Sequence, residues 1–446
     1  MARPADFAVS DNPEVQAQLD RLAALSLPQG RIGLEPVREL LDRLGNPQRS
    51  LPPVFHVAGT NGKGSTCAFL RAALEAADHR VHVFTSPHLV RFNERIRVSG
   101  ALISDDLLAE LLAEVLDEAE AGAIAVSFFS RWRRRRRSSP FRASLPMPAS
   151  SRSAWAGGWT PPMCWKPPRR VRDRLARHRP RSVPARPPKP VFLPSRWRGS
   201  RSKKAGIAKP GVPLVTLAYG QDAVDAVEEQ AERVIAPVFR QGRDWSIRAQ
   251  DGGLLYRDHH GDLALPLPAL AGAHQTANAA LAIAMLRHQD ALPIADEALA
   301  AAMGRANWPA RLQRLADGPV TRLLPPATPC WLDGGHNPDA GAALGVHFAG
   351  SSAPIHLVIG MLANKHPEAL IAPLRRHLAS VTVVPVPGHE YHAASAFRAL
   401  FPQADEADDV ETALRELSVA PGDTVLIAGS LYLAGTVLAA NGQLPD

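Results

Sequence analysis

The sequence predicts an α/β protein of two parts: one with a central, mostly parallel sheet, then a Rossmann-like α/β unit. Three observations predict it. Residues 54–98 run strand, glycine-rich turn, helix, strand, the order that builds a parallel sheet. Past Arg311, short apolar runs alternate with helical stretches to the last residue, which marks a second doubly wound unit. The chain has 446 residues, room for two or three ordinary domains. We place the parts at 1–305 and 306–446.

Each element rests on its own pattern. Val54-Phe55-His56-Val57-Ala58 is a short apolar run that ends in a glycine-rich turn. Thr66 to Ala77 follows as a helix, with Phe69, Leu70, Ala73 and Leu74 at helical spacing. Val81 to Phe84 is a second buried strand, and Leu107 to Ala119 an acidic amphipathic helix. Gln275 to Arg287 is an alanine-rich helix. In the second part, strands are expected at Pro329–Leu332, Ile355–Ile359, Val381–Val386 and Thr424–Ile427. Helices are expected there at Ala340–Phe348, Pro367–Leu378 and Asp408–Leu417.

Composition excludes several classes. An apolar fraction of 46% with no run near the ~20 residues of a membrane span predicts a protein without a membrane partner. Met1 to Ser10 lacks the apolar core of a signal peptide. Cys67, Cys164 and Cys330 are far apart and show no metal-ligand spacing, which suits a reducing cytoplasm. The net charge of +8 would suggest nucleic acid, but its distribution does not. Ser130 to Lys204 holds 19 Arg and 4 Lys against Asp173 alone, leaving the rest of the chain at −14. Nucleic acid is therefore not an expected partner.

Gly59-Thr60-Asn61-Gly62-Lys63-Gly64-Ser65 follows the first strand and opens a helix. Glycines let backbone N–H groups turn in around phosphate oxygens, and the helix N-terminus adds partial positive charge. Lys63 can reach the β and γ phosphates, and the Ser65 hydroxyl can ligate Mg²⁺. Gly64 between Lys63 and Ser65 departs from the commonest phosphate-loop spacing. Thr85-Ser86-Pro87-His88-Leu89 ends the next strand. Ligands gather beyond the carboxyl ends of parallel strands, so Ser86 is a second candidate metal hydroxyl.

Together the two motifs resemble those of the Mur ligase superfamily, and within it the folylpolyglutamate/dihydrofolate synthases. That family's G-T-N-G-K-G-[ST] and [ST]-S-P-H-L-x-x-x-x-E-R-I are matched at Gly59–Ser65 and Thr85–Ile96. His274-Gln275-Thr276-Ala277-Asn278-Ala279-Ala280 resembles H-Q-x-x-N-A-A. Trp308-Pro309-Ala310-Arg311-Leu312-Gln313 resembles W-P-G-R-L/F-Q, with Ala310 replacing the glycine. Asp333-Gly334-Gly335-His336-Asn337-Pro338 resembles D-G-A-H-N-P, and Gly360-Met361-Leu362 and Gly429-Ser430-Leu431-Tyr432 match two later signatures.

The resemblance implies a P-loop ATPase domain followed by a C-terminal ligase domain. It implies an ATP- and Mg²⁺-dependent monomer in the cytoplasm that joins L-glutamate to dihydropteroate or to reduced folates through an acyl phosphate. Asn278, Arg311 and Asp333 would contact ATP beside the phosphate loop, and Ser65 and Ser86 would hold the metal. Gly33-Leu34-Glu35-Pro36 and Ser127-Phe128-Phe129 would line the pterin site. Lys63, Lys204 and His336 would serve the chemistry, Lys204 as a carbamate-bearing lysine of lowered pKa. The alternatives are a Mur-type ligase of cell-wall precursors and a nucleotide-binding protein without catalysis.

Ser130 to about Ser202 breaks every pattern, with 13 prolines, five of the eight tryptophans and the run Arg133 to Arg137. After Phe129 the family expects a glutamate and then V-G-L-G-G-R-[LY]-D-A-T-N, with an Asp-His pair and an Arg-Glu further on; none is present. The missing glutamate and histidine are metal ligands in the family. Tryptophan and methionine have single codons, which constrains the other reading frames. One shifted frame through Ala154 to Trp165 accommodates Leu-Gly-Gly-Arg-Leu-Asp-Ala-Thr-Asn-Val-Leu. We therefore read residues 130–203 as a shifted frame, expect no ordered structure there, and expect metal-dependent turnover to suffer more than nucleotide binding. The alternative is a basic, proline-rich insertion that binds nucleic acid or an acidic partner.

Overall fold

The computed structural model describes residues 10–25, 35–122, 124, 152–156, 191–192 and 205–446. Val54–Val57 (β1), Val81–Phe84 (β2), Ile96–Val98 (β3), Ala101–Leu102 (β4), Arg152–Ala156 (β5), Val191–Phe192 (β6), Leu214–Thr216 (β7) and Val238–Arg240 (β8) form one sheet. Its order is β4-β3-β2-β5-β1-β6-β7-β8. Neighbours from β2 to β8 run parallel, and β3 and β4 form an antiparallel edge.

Helices Pro13–Leu25 (α1), Glu35–Arg43 (α2) and Asp105–Ala121 (α4) share a core that includes Val15, Leu19, Leu108 and Leu112. Lys63–Ala76 (α3) packs on His274–Arg287 (α6) and Asp296–Arg305 (α7). Gln221–Arg233 (α5) covers β7 and β8 with Val227 and Ala231. From Asn278 to Leu286, α6 is buried at every residue, the pattern of a helix enclosed on all sides. Burying Leu70, Leu74 and Leu281 stabilises this core by roughly 1.5–3 kcal/mol per side chain.

The second sheet joins Gln313–Arg314 (β12), Cys330–Asp333 (β13), Ile355–Ile359 (β14), Leu378–Val383 (β15), Asp405–Glu406 (β16) and Thr424–Ala428 (β17). Its order is β12-β13-β17-β14-β15-β16, parallel except for β12. Pro338–Phe348 (α8), Glu368–Leu374 (α9), Ala394–Arg398 (α10), Val410–Glu416 (α11) and Leu431–Ala440 (α12) flank it. Residues alternate between its two faces: Val425 and Ile427 join one core, Leu426 and Ala428 the other. Both faces are covered, as a parallel sheet requires.

Three expectations need correction. The helix expected at Pro367–Leu378 is only Glu368–Leu374, and Leu378 already opens β15. Pro373 lies inside it and removes a backbone donor, so the helix stops one residue later. Second, within residues 130–203, expected to be disordered or misfolded, only β5 and β6 are among the described residues, and both pair with β1. Third, Ser246–Gln250 (β9), Gly253–Asp258 (β10) and Gly261–Leu265 (β11) form an antiparallel sheet that was not anticipated. Its signal was present in the alternation of buried Leu254 and Tyr256 and of buried Leu263 and Leu265.

Candidate active site

The carboxyl ends of both parallel sheets open into one cavity of about 820 Å³. Thr60 to Ser65, Ser86, Asn278, Arg311, Asp333 and His336 all line it, so six of the seven loop residues and the distant motifs converge as the sequence predicts. Gly59 lies behind the lining and accepts a hydrogen bond from Lys63 Nζ at 2.7 Å. Glu35 and Pro36 open α2 outside the lining. Gly33, Leu34, Ser127, Phe128, Phe129 and Lys204 lie outside the described residues.

The phosphate loop is shaped by two glycines. Gly62 takes φ +78° and caps α3 without a side-chain hydrogen bond, which starts the helix at Lys63 rather than at the expected Thr66. A Cβ on Gly62 would collide with the Asn278 carboxamide, and one on Gly64 would enter the Trp308 indole. The loop is thus clamped between α6 and the Trp308–Gln313 segment. Asn278 is itself held by Gln275, whose Oε1 accepts from Asn278 Nδ2 at 2.9 Å inside the protein.

Asp333 ends β13, where it is buried, and both of its oxygens accept backbone N–H groups. Leu312 N–H donates to Oδ2 at 2.8 Å and Gly335 N–H to Oδ1 at 2.6 Å. These bonds fix the Ala310–Leu312 segment, in which Ala310 and Leu312 take φ +55° and +45°. The left-handed region is costly for residues with a Cβ, so this carboxylate holds a strained turn in place. Ala310 occupies the position where the family motif has glycine. Arg311, on that turn, is half-buried in the cavity wall, and desolvation lowers its pKa while Asp333 opposes the shift.

The loop after β2 is organised by Glu94. Its carboxylate accepts the N–H groups of Leu89 at 2.7 Å, Val90 at 2.8 Å and Arg91 at 2.7 Å. Ser86-Pro87 is a cis peptide bond. Burial, then the charge of Arg95, pushes His88 down to about 3. Its Nδ1 accepts from Arg95 Nε at 2.8 Å, which requires the neutral ring.

Across the cavity α8 presents a second helix N-terminus. Asn337 caps it, accepting from Ala340 N–H at 3.0 Å. Asn337 Nδ2 also donates to Asn61 Oδ1 at 2.9 Å, and Asn61 Nδ2 donates to Asp339 Oδ2 at 3.1 Å. The phosphate loop is therefore tied directly to the second part. Two helix N-termini with Lys63, Arg311 and Lys365 on the wall make the cavity a site for anions. Burial, then Lys365, keeps His336 below the ordinary imidazole value, and burial does the same to His274.

Lys365, Asp339, His274, Arg71 and Arg97 also line the cavity and were not singled out in the sequence. His274 stood inside a recognised motif, and Lys365 follows Gly360-Met361-Leu362 by three positions. Arg71, just over two turns into α3, carried no signal of its own.

Comparison with known proteins bears out the motif resemblance. Residues 321–431 match the model of the Mur ligase glutamate ligase domain. The chain is 28% identical to a dihydrofolate synthase/folylpolyglutamate synthase of Bacillus subtilis, with 91% of this chain and 94% of the relative aligned. It is 29% identical to a folylpolyglutamate synthase of Lacticaseibacillus casei, over 89% and 92%. Among solved structures, the folylpolyglutamate synthase/dihydrofolate synthase of Yersinia pestis complexed with AMPPNP and Mn ion shares the fold. Its TM-score is 0.74 at 26% identity, with 96% of this chain and 97% of that chain covered. An Escherichia coli relative in complex with DHPP and ADP also gives a TM-score of 0.74, at 25% identity over 96% and 97%.

Proposed function

We propose that this chain, a homologue of the folylpolyglutamate and dihydrofolate synthases along nearly its whole length, is an ATP-dependent carboxylate–amine ligase. It would join L-glutamate to dihydropteroate or to a reduced folate. The observation that carries the reading is the convergence of Thr60–Ser65, Asn278, Arg311 and Asp333 on one cavity between two parallel sheets.

The residues present suit ATP with Mg²⁺. Gly62 leaves the first-turn N–H groups of α3 without a side-chain cap, and Lys63, Ser65 and Ser86 line the same wall. Ser65 and Ser86 would hold the metal, which when bound neutralises charge on the phosphates. Lys63 now donates to Gly59 O and Thr60 O, and it would exchange those carbonyls for phosphate oxygens. Arg311, poised on its strained turn, would neutralise the transferring γ-phosphoryl group. The acceptor's carboxylate attacks that phosphorus, forming an acyl phosphate and ADP. The glutamate amine then attacks the acyl carbon and expels phosphate. His336, held neutral, is suited to accept the proton that the amine releases. The Asn61–Asn337–Asp339 contact would keep the two parts closed and water out while the acyl phosphate exists.

Gly33 to Pro36, Ser127 to Phe129 and Lys204 complete our reading, as pterin-site residues and a carbamate-bearing lysine. We take the protein to be a cytoplasmic monomer in two domains, 1–305 and 306–446; among the described residues no helix is long and apolar enough to cross a membrane. The metal ligands that the family pattern expects in 130–203 are absent from the sequence. That favours, for the chain as written, nucleotide binding with weak turnover.

ADP release by the chain, and by a version with the reading frame of 130–203 restored, tests the proposal. Each is supplied with ATP, Mg²⁺, glutamate and dihydropteroate or a reduced folate. We expect ADP and glutamylated product in equal amounts from the restored version. Absence of ADP from that version with every acceptor would overturn the assignment.

A further inference from the structure

Away from the nucleotide cavity, the turn of the β10–β11 hairpin and the C-terminal end of α6 bring three imidazoles together. His259 and His260 form the exposed turn, and His288 caps α6 with its side chain fully buried. One ring nitrogen from each lies within 4.8 Å of the others. None of the three lines the nucleotide cavity, which α6 reaches at its other end, about 20 Å away at the rise of an α-helix.

His288 is the informative member. Buried polar atoms nearly always have a hydrogen-bond partner, yet neither of its ring nitrogens has one. The nearest carboxylate oxygen, Asp258 Oδ2, stands 3.8 Å from Nε2, beyond hydrogen-bond reach. Asp258 is already engaged by Arg287 at 2.9 Å on each oxygen, by the Tyr256 hydroxyl and by the His260 N–H. The ring stacks on Phe239 at 4.2 Å and on His259 at 5.0 Å. Stacking accounts for the plane of the ring but leaves both nitrogens without a role.

We propose that His259, His260 and His288 form a binding site for a borderline divalent transition metal, Zn²⁺ in particular, with the fourth position open to water. Neutral imidazoles suit Zn²⁺, whereas Mg²⁺ prefers oxygen ligands, so the site is separate from the one that serves ATP. Tetrahedral Zn²⁺ with nitrogen ligands at about 2.0–2.1 Å needs those atoms roughly 3.3 Å apart. Rotation of the two exposed rings supplies the remaining approach, while Phe239 holds His288 fixed. A bound ion would staple the hairpin to the helix that carries Asn278.

The test uses the full chain stripped with a chelator and then titrated with Zn²⁺ in excess Mg²⁺, followed by calorimetry and by melting temperature. We expect one Zn²⁺ per chain and a rise in melting temperature. The double variant His259→Gln, His260→Gln, altered only at exposed positions, should bind at least about tenfold more weakly and lose the rise. Absence of saturable binding would overturn the proposal, and so would equal affinity in the double variant.

Discussion

Replacing Gly62 with alanine concentrates the logic of the phosphate loop in one methyl group. The backbone there has φ +78°, and an L-residue in that region costs roughly 1–2 kcal/mol. The new Cβ would also strike the Asn278 carboxamide, which must swing away and lose its hydrogen bond to Gln275, worth about 1–1.5 kcal/mol. A relaxed loop escapes both penalties but no longer presents its N–H groups, so the cost falls on binding. The sum of roughly 2–3.5 kcal/mol predicts ATP binding weakened about 30- to 300-fold. Fluorescent-nucleotide titration measures it, with melting temperature as the check that the fold survives. Adding Asn278→Gly to Gly62→Ala removes the collision but not the strained φ, so the two changes should be less than additive. Nucleotide affinity unchanged in Gly62→Ala, or strict additivity in the pair, would refute the reasoning.

Three further outcomes follow from the same geometry. Asp333→Ala leaves the N–H groups of Leu312 and Gly335 without their acceptor and frees a strained turn, and should destabilise the protein by about 3–5 kcal/mol; a denaturant midpoint equal to that of the unaltered chain would contradict this. Glu94→Ala removes the acceptor of three loop N–H groups and should cost about 2–4 kcal/mol, with a weaker Mg²⁺ dependence of nucleotide binding, measured by titration at several metal concentrations. The Asp423 carboxyl is held below its usual value by hydrogen bonds from His356 and the Ala420 N–H. Because its folded pKa is the lower one, its contribution is present above the unfolded value near ~3.9 and is lost as pH falls through the folded value. Asp423→Asn should therefore flatten the acid decline in melting temperature; an unchanged slope would show that other groups set it.

What could be read from sequence was what is local or carried by a motif. The phosphate loop encodes its own turn, because only glycine takes φ +78° freely at position 62. The β-strands of the second part declared themselves as continuous apolar runs, since both faces of their sheet are buried. The short helix Glu368–Leu374 carries its own stop signal in Pro373. Other features were beyond reach because they exist only between distant segments. Asn61 is 276 positions from Asn337, and nothing in either neighbourhood announces the bond between them. The reversal at Ala310 depends on Asp333, which fixes a backbone that alanine alone would avoid. His288 is 28 positions from the nearer of His259 and His260, and only the fold sets the three side by side.

The central claim is that the cavity between the two sheets binds ATP for ligation of glutamate. The most direct measurement follows radiolabelled glutamate into product, in parallel with ADP, for the frame-restored chain and for its Lys63→Ala variant. We predict one glutamate incorporated per ADP released, and loss of both in the variant. ADP release without glutamate incorporation, or incorporation that survives Lys63→Ala, would contradict the account.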